Sequence, residues 1–368
     1  LTAAIVAAKA GLRVVLVEKD ACYGGTTAFS GGAAWIPDNH LMKGQGVEDN
    51  REDAALYLKN VAGNYFDAAK VHSFLKSGPE MLAYMAANSH VEFTPMGLPD
   101  YEAPKAGWRA GRSIMAKEFD GARLGPGLAD LRRPLDQFVI FNSMQVAGSD
   151  VYPLRTMFRR WSSFRHSVKI LSRFCLEYFR FGRGVRLVNG NALAGRLLLS
   201  AREAGVTLLN NCALHSLRMD QGRIVSVEIE RFGKLSTIAI RKGVILATGG
   251  FGANKAMRDP LIPLNDDHVS IQPSANVGDG IKIGVAAGGC LRSDNAVNGI
   301  FAPVSMFKRG ERTLPFPHIG IDRYMPGLIA VDQRGERFVK ESGSYVDFVV
   351  AMQRGNIRRA YLVADHYF

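Results

Sequence analysis

The sequence predicts an α/β fold built to hold a nucleotide, and three stretches carry that prediction. An apolar run, Val14-Val15-Leu16-Val17, ends on Glu18 and is followed by Gly24-Gly25-Thr26-Thr27-Ala28-Phe29-Ser30-Gly31-Gly32. A second apolar run, Val244-Ile245-Leu246-Ala247, ends on Thr248-Gly249-Gly250. Gly278-Asp279-Gly280-Ile281 then opens a helix that closes near Gly288-Gly289. Glycine has no Cβ, so backbone N–H groups can come close to a diphosphate, and Thr and Ser add short donors. An acid at a strand end, here Glu18, can accept from the two ribose hydroxyls of an adenosine. A helix N-terminus favours phosphate, although a capped helix with Asp279 serving the macrodipole is the plainer reading of that motif. Glycine-rich turns are common; it is the order strand, acid, GGTT, SGG that is specific.

The totals bound the reading. A chain of 368 residues buries a large core, and its length suggests two domains. Hydrophobic content of 47% with 39 glycines fits an α/β enzyme with many tight turns. Cys22, Cys175, Cys212 and Cys290 lie far apart, without metal-ligand spacing. That pattern predicts reduced thiols, a cytoplasmic setting and no bound metal. No run of about 18 apolar residues marks a spanning helix, and no signal-peptide pattern is read. The net charge of +12 comes without a nucleic-acid motif, so no nucleic-acid partner is expected. Phosphate-bearing cofactors or an anionic membrane surface fit that charge better.

In chain order, Leu1 to Ala10 is an Ala-rich helix stopped by Gly11. A dinucleotide fold needs a strand and a G-x-G-x-x-G turn just before such a helix. The sequence therefore reads as a fragment whose phosphate-binding turn lies upstream. Helical patterns cover Glu52 to Val61 and Ala68 to Ala87. Pro99-Asp100-Tyr101 opens a passage rich in Gly and Pro through Gly107, Gly111-Arg112-Ser113 and Gly125, the kind of long loop that forms pocket walls. From Asp150 to Arg186, arginines interleave with Phe158, Trp161, Phe164, Phe174 and Phe179. Apolar residues there recur at i, i+3, i+4, which predicts an amphipathic basic helix, either on an anionic membrane or as a hairpin packed on its own domain. Ala192 to Ala204 is helical and stops at Gly205. Strand-like runs follow at Val206–Leu209, Leu214–Met219, Ile224–Arg231, Leu235–Ile240 and Gly243–Ala247, with a turn at Asp220-Gln221-Gly222.

These motifs resemble the FAD-containing flavoproteins of the fumarate reductase and succinate dehydrogenase group, and within it the 3-ketosteroid Δ1-dehydrogenases. The resemblance runs over nearly the whole chain and is least typical between Asp150 and Arg186. It implies an α/β chain with a Rossmann-like FAD-binding domain of glutathione-reductase type, carrying a β-meander, over residues 1–297. It further implies the beginning of an α+β substrate domain over residues 298–368. FAD would be held by Glu18, Gly24, Gly25, Thr26, Thr27, Ser30, Gly31, Gly32, Ala247, Thr248, Gly249, Gly278 and Asp279. The loop with Gly31, Gly32 and Trp35 would lie against the ribityl and isoalloxazine part of FAD, with an ordinary core aromatic as the rival reading of Trp35.

The chemistry is read near the end of the chain. Gly335-Glu336-Arg337-Phe338-Val339-Lys340-Glu341 resembles the G-x-R-F element that precedes a carboxylate in this group, with Lys340 where asparagine is usual. The fumarate-reducing branch carries an arginine four residues after that glutamate; here the position is Tyr345. Dehydrogenation beside a ketone needs a base for the α-proton and an acceptor for the β-hydride. A phenol, with an ordinary pKa near 10, must be tuned by neighbours to serve as that base. The resemblance implies that Tyr345 is the base and Tyr101 its helper, while Glu341 and Asp347 fix the loop. The expected partners are a steroid-like small molecule and an electron acceptor of unknown identity, with a peripheral membrane contact as an addition. Further donors to the enolate oxygen are expected downstream of Phe368, so the fragment alone is expected to be incomplete. Two rivals remain open at this point: a fumarate-reductase-like flavoprotein acting on an unsaturated acid, and a non-enzymatic basic protein that binds membranes or nucleic acid.

Overall fold

The computed structural model describes residues 1–102, 104–262, 268–295, 298–319, 321–324 and 326–365. Its organising element is the helix Asn189–Glu203. Ala and Leu dominate its sequence, and ten of its residues are buried, from Gly190 to Ala201. One side, through Ala194 and Leu198, shares a cluster with Tyr23, Phe119 and Leu187. Its C-terminal half joins Ile5, Met85, Val91 and Val206 through Ala201. Arg196 is buried within this helix, and its guanidinium donates to the carbonyls of His90 (2.5 Å), Glu118 (2.8 Å) and Lys117 (3.2 Å). A buried cation survives only when its donors are used, and here they are.

The first strand, Val15–Val17, pairs in parallel with Thr207–Leu209, Leu16 opposite Leu208. The helix Thr2–Lys9 precedes it, and the chain leaves that helix through Gly11 at φ +81°. Three strands then form an antiparallel sheet in sequence order, Cys212–Asp220, Arg223–Arg231 and Lys234–Ala239. The expected turn joins the first two: Gln221 and Gly222 take φ of +47° and +76°, and Asp220 faces Arg223. Both signs are those of a two-residue hairpin turn.

Two expectations need correction, and a third is decided between its alternatives. Val244–Ala247 is not a buried parallel strand. Among the described residues no strand lies beside it, its backbone has no ladder to join, and Ile245 is largely exposed. The GGTT stretch is not an open loop but a turn of 3-10 helix, Gly25–Phe29, folded against the Asn189–Glu203 helix. The basic segment takes the hairpin form, as two helices, Gly148–Arg155 and Trp161–Phe181. They pack as a hairpin through His166–Asp150 (2.8 Å) and Ser163–Thr156 (2.8 Å). The α/β mixture is present, but among the described residues parallel strand pairing is limited to Val15–Val17 with Thr207–Leu209 and the isolated bridge between Tyr23 and Leu131.

Beyond the expected boundary at Val297, which lies outside the described residues, come an antiparallel hairpin (Val304–Arg309 with Arg312–Pro317) and a strand pair (Leu328–Val331 with Tyr361–Ala364). The helix Tyr345–Arg354 lies between the members of that pair.

A buried ion cluster ties the loops around this frame. Arg112 donates to Asp100 at 2.7 Å and to both oxygens of Asp49 at 2.8 and 2.9 Å. The side chains of all three are no more than 1% exposed. Burial works against the guanidinium charge, but the two carboxylates outweigh it and hold its pKa above the usual value. Trp35 donates its indole N–H to the other oxygen of Asp100 at 2.7 Å, and the Arg112 guanidinium lies 5.7 Å from the Trp35 ring centroid.

Removing Arg112 takes the shared cation from two buried carboxylates, leaving Asp49 only Arg109 at 3.3 Å as an ion partner. Arg112→Ala is expected to cost about 3–5 kcal/mol in denaturant unfolding, and Arg112→Lys less, because the charge stays while the fork is lost. An unchanged unfolding midpoint in Arg112→Ala would contradict the role given to this cluster.

Candidate functional site

The two cofactor-type segments, far apart in sequence, meet in space. Lys19 lies 2.5 Å from Asp279, and the Asn276 side-chain amide donates to the Thr26 hydroxyl at 3.0 Å. Gly249 follows the second apolar run with φ +73°, and a Cβ there would stand 3.0 Å from the Asn276 amide. Gly280 sits under Thr248, where a Cβ would come within 2.0 Å of its hydroxyl. Glu18, Thr26, Thr248, Gly249 and Gly278–Gly280 therefore converge on one side of the molecule. Ala247 lies on the exposed segment just before them.

The GGTT–SGG segment is seated by backbone. The Gly190 N–H donates to the Ser30 carbonyl at 3.0 Å. A Cβ on Gly190 would meet the Thr27 carbonyl at 1.9 Å, and one on Gly32 would meet the Asn189 carbonyl carbon at 2.4 Å. These glycines are required by chain against chain, not by a ligand. Gly31 differs: it is exposed, with nothing within 4 Å of its would-be Cβ. Thr26, Thr27 and Ser30 are exposed as well, and Gly24 and Gly25 lead into them in left-handed conformations. Glu18 is half-buried at the end of its strand; burial pushes its carboxyl up, and one oxygen accepts from the Asp20 N–H at 2.9 Å. A strand-end acid, solvent-facing hydroxyls and an open glycine edge fit an adenine dinucleotide. The carboxylate of Asp279 is engaged by Lys19 and the Gly278 N–H by the Gly250 carbonyl (3.2 Å), so the first turn of the helix Asp279–Ala286 is what is left to offer backbone N–H groups.

The two candidate catalytic phenols are adjacent. The rings of Tyr101 and Tyr345 are 5.3 Å apart at 65°, edge to face, and the Tyr345 N–H reaches the Tyr101 hydroxyl at 3.4 Å. Tyr345 opens the helix Tyr345–Arg354, whose N-terminus is capped by Ser344 accepting from Val346. Tyr101 follows the buried Asp100, which accepts from Trp35, Arg112 and the Arg109 N–H. Trp35 closes the strand Ala33–Trp35 that begins directly after Gly32. The route from the glycine edge to the phenol pair is thus short and covalent or hydrogen-bonded at every step.

Glu341 is a support. Arg337 grips both its oxygens (2.8 and 2.7 Å) and the Ala330 N–H donates at 2.9 Å, which holds its carboxyl down to about 2. It stays ionised at neutral pH and fixes the chain before Tyr345. Arg323 is buried and donates to the carbonyls of His318 (2.6 Å), Glu341 (2.7 Å) and Gly343 (3.1 Å) from the other side. Asp347 is exposed on the first turn of the helix.

Sequence reasoning missed Asn276, Gly190 and Arg112. Asn276 lies two residues before Gly278-Asp279-Gly280, and proximity to that motif was the available signal. Gly190 lies just before the helix read from Ala192, and Arg112 was read only as part of a glycine-rich passage.

The whole chain, residues 1–368, matches the family described as FAD binding domain. It is 35% identical, over 95% of its length, to 4-oxocyclohex-2-ene-1-carboxylate 5-dehydrogenase of Sinomonas cyclohexanicum, covering 59% of that protein. It is 33% identical, over 94% of its length, to 3-oxosteroid 1-dehydrogenase of Mycolicibacterium smegmatis, covering 60% of it. The chain thus spans about three fifths of the length of these curated relatives. Among solved structures it is similar to 3-ketosteroid delta1-dehydrogenase from Sterolibacterium denitrificans in complex with 1,4-androstadiene-3,17-dione. The TM-score is 0.85 at 28% identity, over 100% of this chain and 67% of that one.

A paired substitution separates ligand from scaffold. Gly31→Ala is expected to leave the unfolding midpoint unchanged and to weaken FAD binding at least about tenfold, or about 1.4 kcal/mol. Gly190→Ala should lower both, because it pushes on the Thr27 carbonyl. Flavin absorbance after dialysis and thermal unfolding read the two effects; undiminished FAD retention in Gly31→Ala would remove Gly31 from the binding edge.

Proposed function

Given that this chain belongs to the FAD binding domain family, we propose that it forms the cofactor and base-bearing part of a 3-ketosteroid Δ1-dehydrogenase. FAD, when bound, supplies the acceptor for the hydride that leaves the carbon β to the ketone. The chain's own residues do the rest. Glu18 and the 24–32 segment orient the adenosine and diphosphate, with Thr248–Gly249 and Gly278–Asp279 opposite. Tyr345, as phenolate, takes the proton from the carbon α to the ketone. The electron pair of that C–H bond becomes the new double bond as the β-hydride departs. Tyr101, edge to face on the Tyr345 ring and accepting from its backbone N–H, holds that phenol in place. The position of Tyr345 in the first turn of a helix lowers the cost of its negative charge.

The observation that carries this reading is the contact of Tyr101 with Tyr345, made from a loop tied to the glycine edge through Asp100 and Trp35. A pair of phenols suits a neutral ketone. Fumarate-type chemistry calls for a cation to hold a second carboxylate, and Tyr345 stands where that branch has arginine.

A second reading rests on the Sinomonas relative, whose name describes removal of hydrogen from a small oxocyclohexene carboxylate. Both readings share desaturation beside a cyclic ketone and differ in the size of the ring system. They are separated by assaying the full-length flavoprotein, with an artificial electron acceptor, on 4-androstene-3,17-dione, on 4-oxocyclohex-2-ene-1-carboxylate and on succinate. Turnover is expected on the steroid and not on succinate. A fully flavin-loaded protein inert towards the steroid would overturn the first reading, and turnover confined to the small keto acid would establish the second.

A further inference from the structure

The Trp161–Phe181 helix carries an outward face that the flavin chemistry does not use. Trp161, Val168, Leu176 and Phe179 recur so that, at 3.6 residues per turn, they share one side. The opposite side is packed on the body through Ser163, Ser167, Ile170 and Glu177. Trp161 and Leu176 are each 72% exposed and Phe179 is 93% exposed; Phe158, in the turn before the helix, is 89% exposed. A soluble protein seldom leaves large apolar side chains this open in a row. Residues 156–183 hold seven basic residues against one acid, and that acid, Glu177, is buried on the Val185 and Arg186 N–H groups (2.7 and 3.0 Å) and on Arg173 (2.7 Å). Arg159, Arg160, Arg165, Lys169 and Arg180 are all exposed along the same stretch.

We propose that this face docks the protein on an anionic lipid bilayer, with the helix lying in the headgroup plane. The aromatic and aliphatic side chains enter the acyl boundary, and the flanking guanidinium and ammonium groups meet lipid phosphates. Charge complementarity selects the occupant: the face is cationic, and Glu118, the exposed acid that meets this helix through Arg173 (2.9 Å), is also bound by Arg186 (2.6 Å). Val168 and Leu176 offer nothing to a nucleic-acid backbone and cannot stack on bases, whereas hydrocarbon takes them as readily as the aromatics. The helix lies on the membrane rather than through it, since no helix among the described residues is long and apolar enough to cross. The hairpin is presented rigidly, because Asp150 at its base binds both His166 and Arg186 at 2.8 Å. This inference does not depend on the identity of the substrate.

The test sediments full-length flavoprotein with phosphatidylcholine vesicles, with and without phosphatidylglycerol. Binding is expected to the anionic vesicles, at least about tenfold tighter than to neutral ones, and to weaken with salt. The variant Phe158→Ser/Trp161→Ser/Phe179→Ser should lose at least about tenfold in vesicle affinity with its unfolding midpoint and its turnover in solution unchanged. In the unsubstituted protein, brominated lipid should quench fluorescence that Trp161→Phe lacks. Absence of vesicle binding, binding untouched by the triple substitution, or no quenching of Trp161 overturns the proposal. So does retention on DNA without retention on vesicles. So does a stable oligomer that the triple substitution disperses, since a second copy would then be the occupant.

Discussion

The Arg112 ion cluster is the constraint on which the rest of the site depends. Three fully desolvated charges are held together by a guanidinium that meets one carboxylate with two nitrogens and a second with a third contact. Such an arrangement contributes little net stability, but it tolerates almost no displacement, because any misplacement strands a buried charge. The cluster spans the loop from Asp49, the strand entered at Arg112, and Asp100. Asp100 also receives the indole of Trp35. The chain that leaves the glycine edge and the chain that carries Tyr101 are thereby fixed to each other. Positioning of a base within a fraction of an ångström is what proton abstraction requires, and long loops rarely give it unaided.

The cofactor side uses a different device. There the chain is close-packed on itself: Gly32 and Gly190 are glycines because backbone occupies the space a Cβ would need. Asn276 and the Lys19–Asp279 pair then close the second apolar segment onto the first. The outcome is one face on which an adenine dinucleotide can lie and one corner with two phenols. In the proposed function, the short stretches at Tyr101 and Tyr345 are what set a ketone desaturase apart from an acid reductase.

Much of this was legible in the residues. Periodicity gave the helices Arg51–Ala62 and Ala68–Asn88 within a residue or two of their ends. Asp220-Gln221-Gly222 gave the hairpin, because its turn needs positive φ at two successive positions. The Asp150–Arg186 segment was legible as amphipathic and basic, with a hairpin as one reading, but the place of its break was not, since Thr156–Arg160 contains neither Gly nor Pro. Val244–Ala247 has the composition of an inner strand. Composition cannot supply the neighbouring strand that makes one, and among the described residues none is there. Asn276 and Arg112 were invisible because their roles come from partners distant in sequence, Thr26 and Asp49 respectively.

The most direct test of the account is the rate of flavin bleaching on anaerobic mixing with 4-androstene-3,17-dione, in the unsubstituted flavoprotein and in Tyr345→Phe. If the phenol pair stands at the reacting carbon, Tyr345→Phe keeps its full complement of FAD and bleaches at least about a hundredfold more slowly, the usual worth of a positioned base. Bleaching at an undiminished rate in Tyr345→Phe would contradict the account.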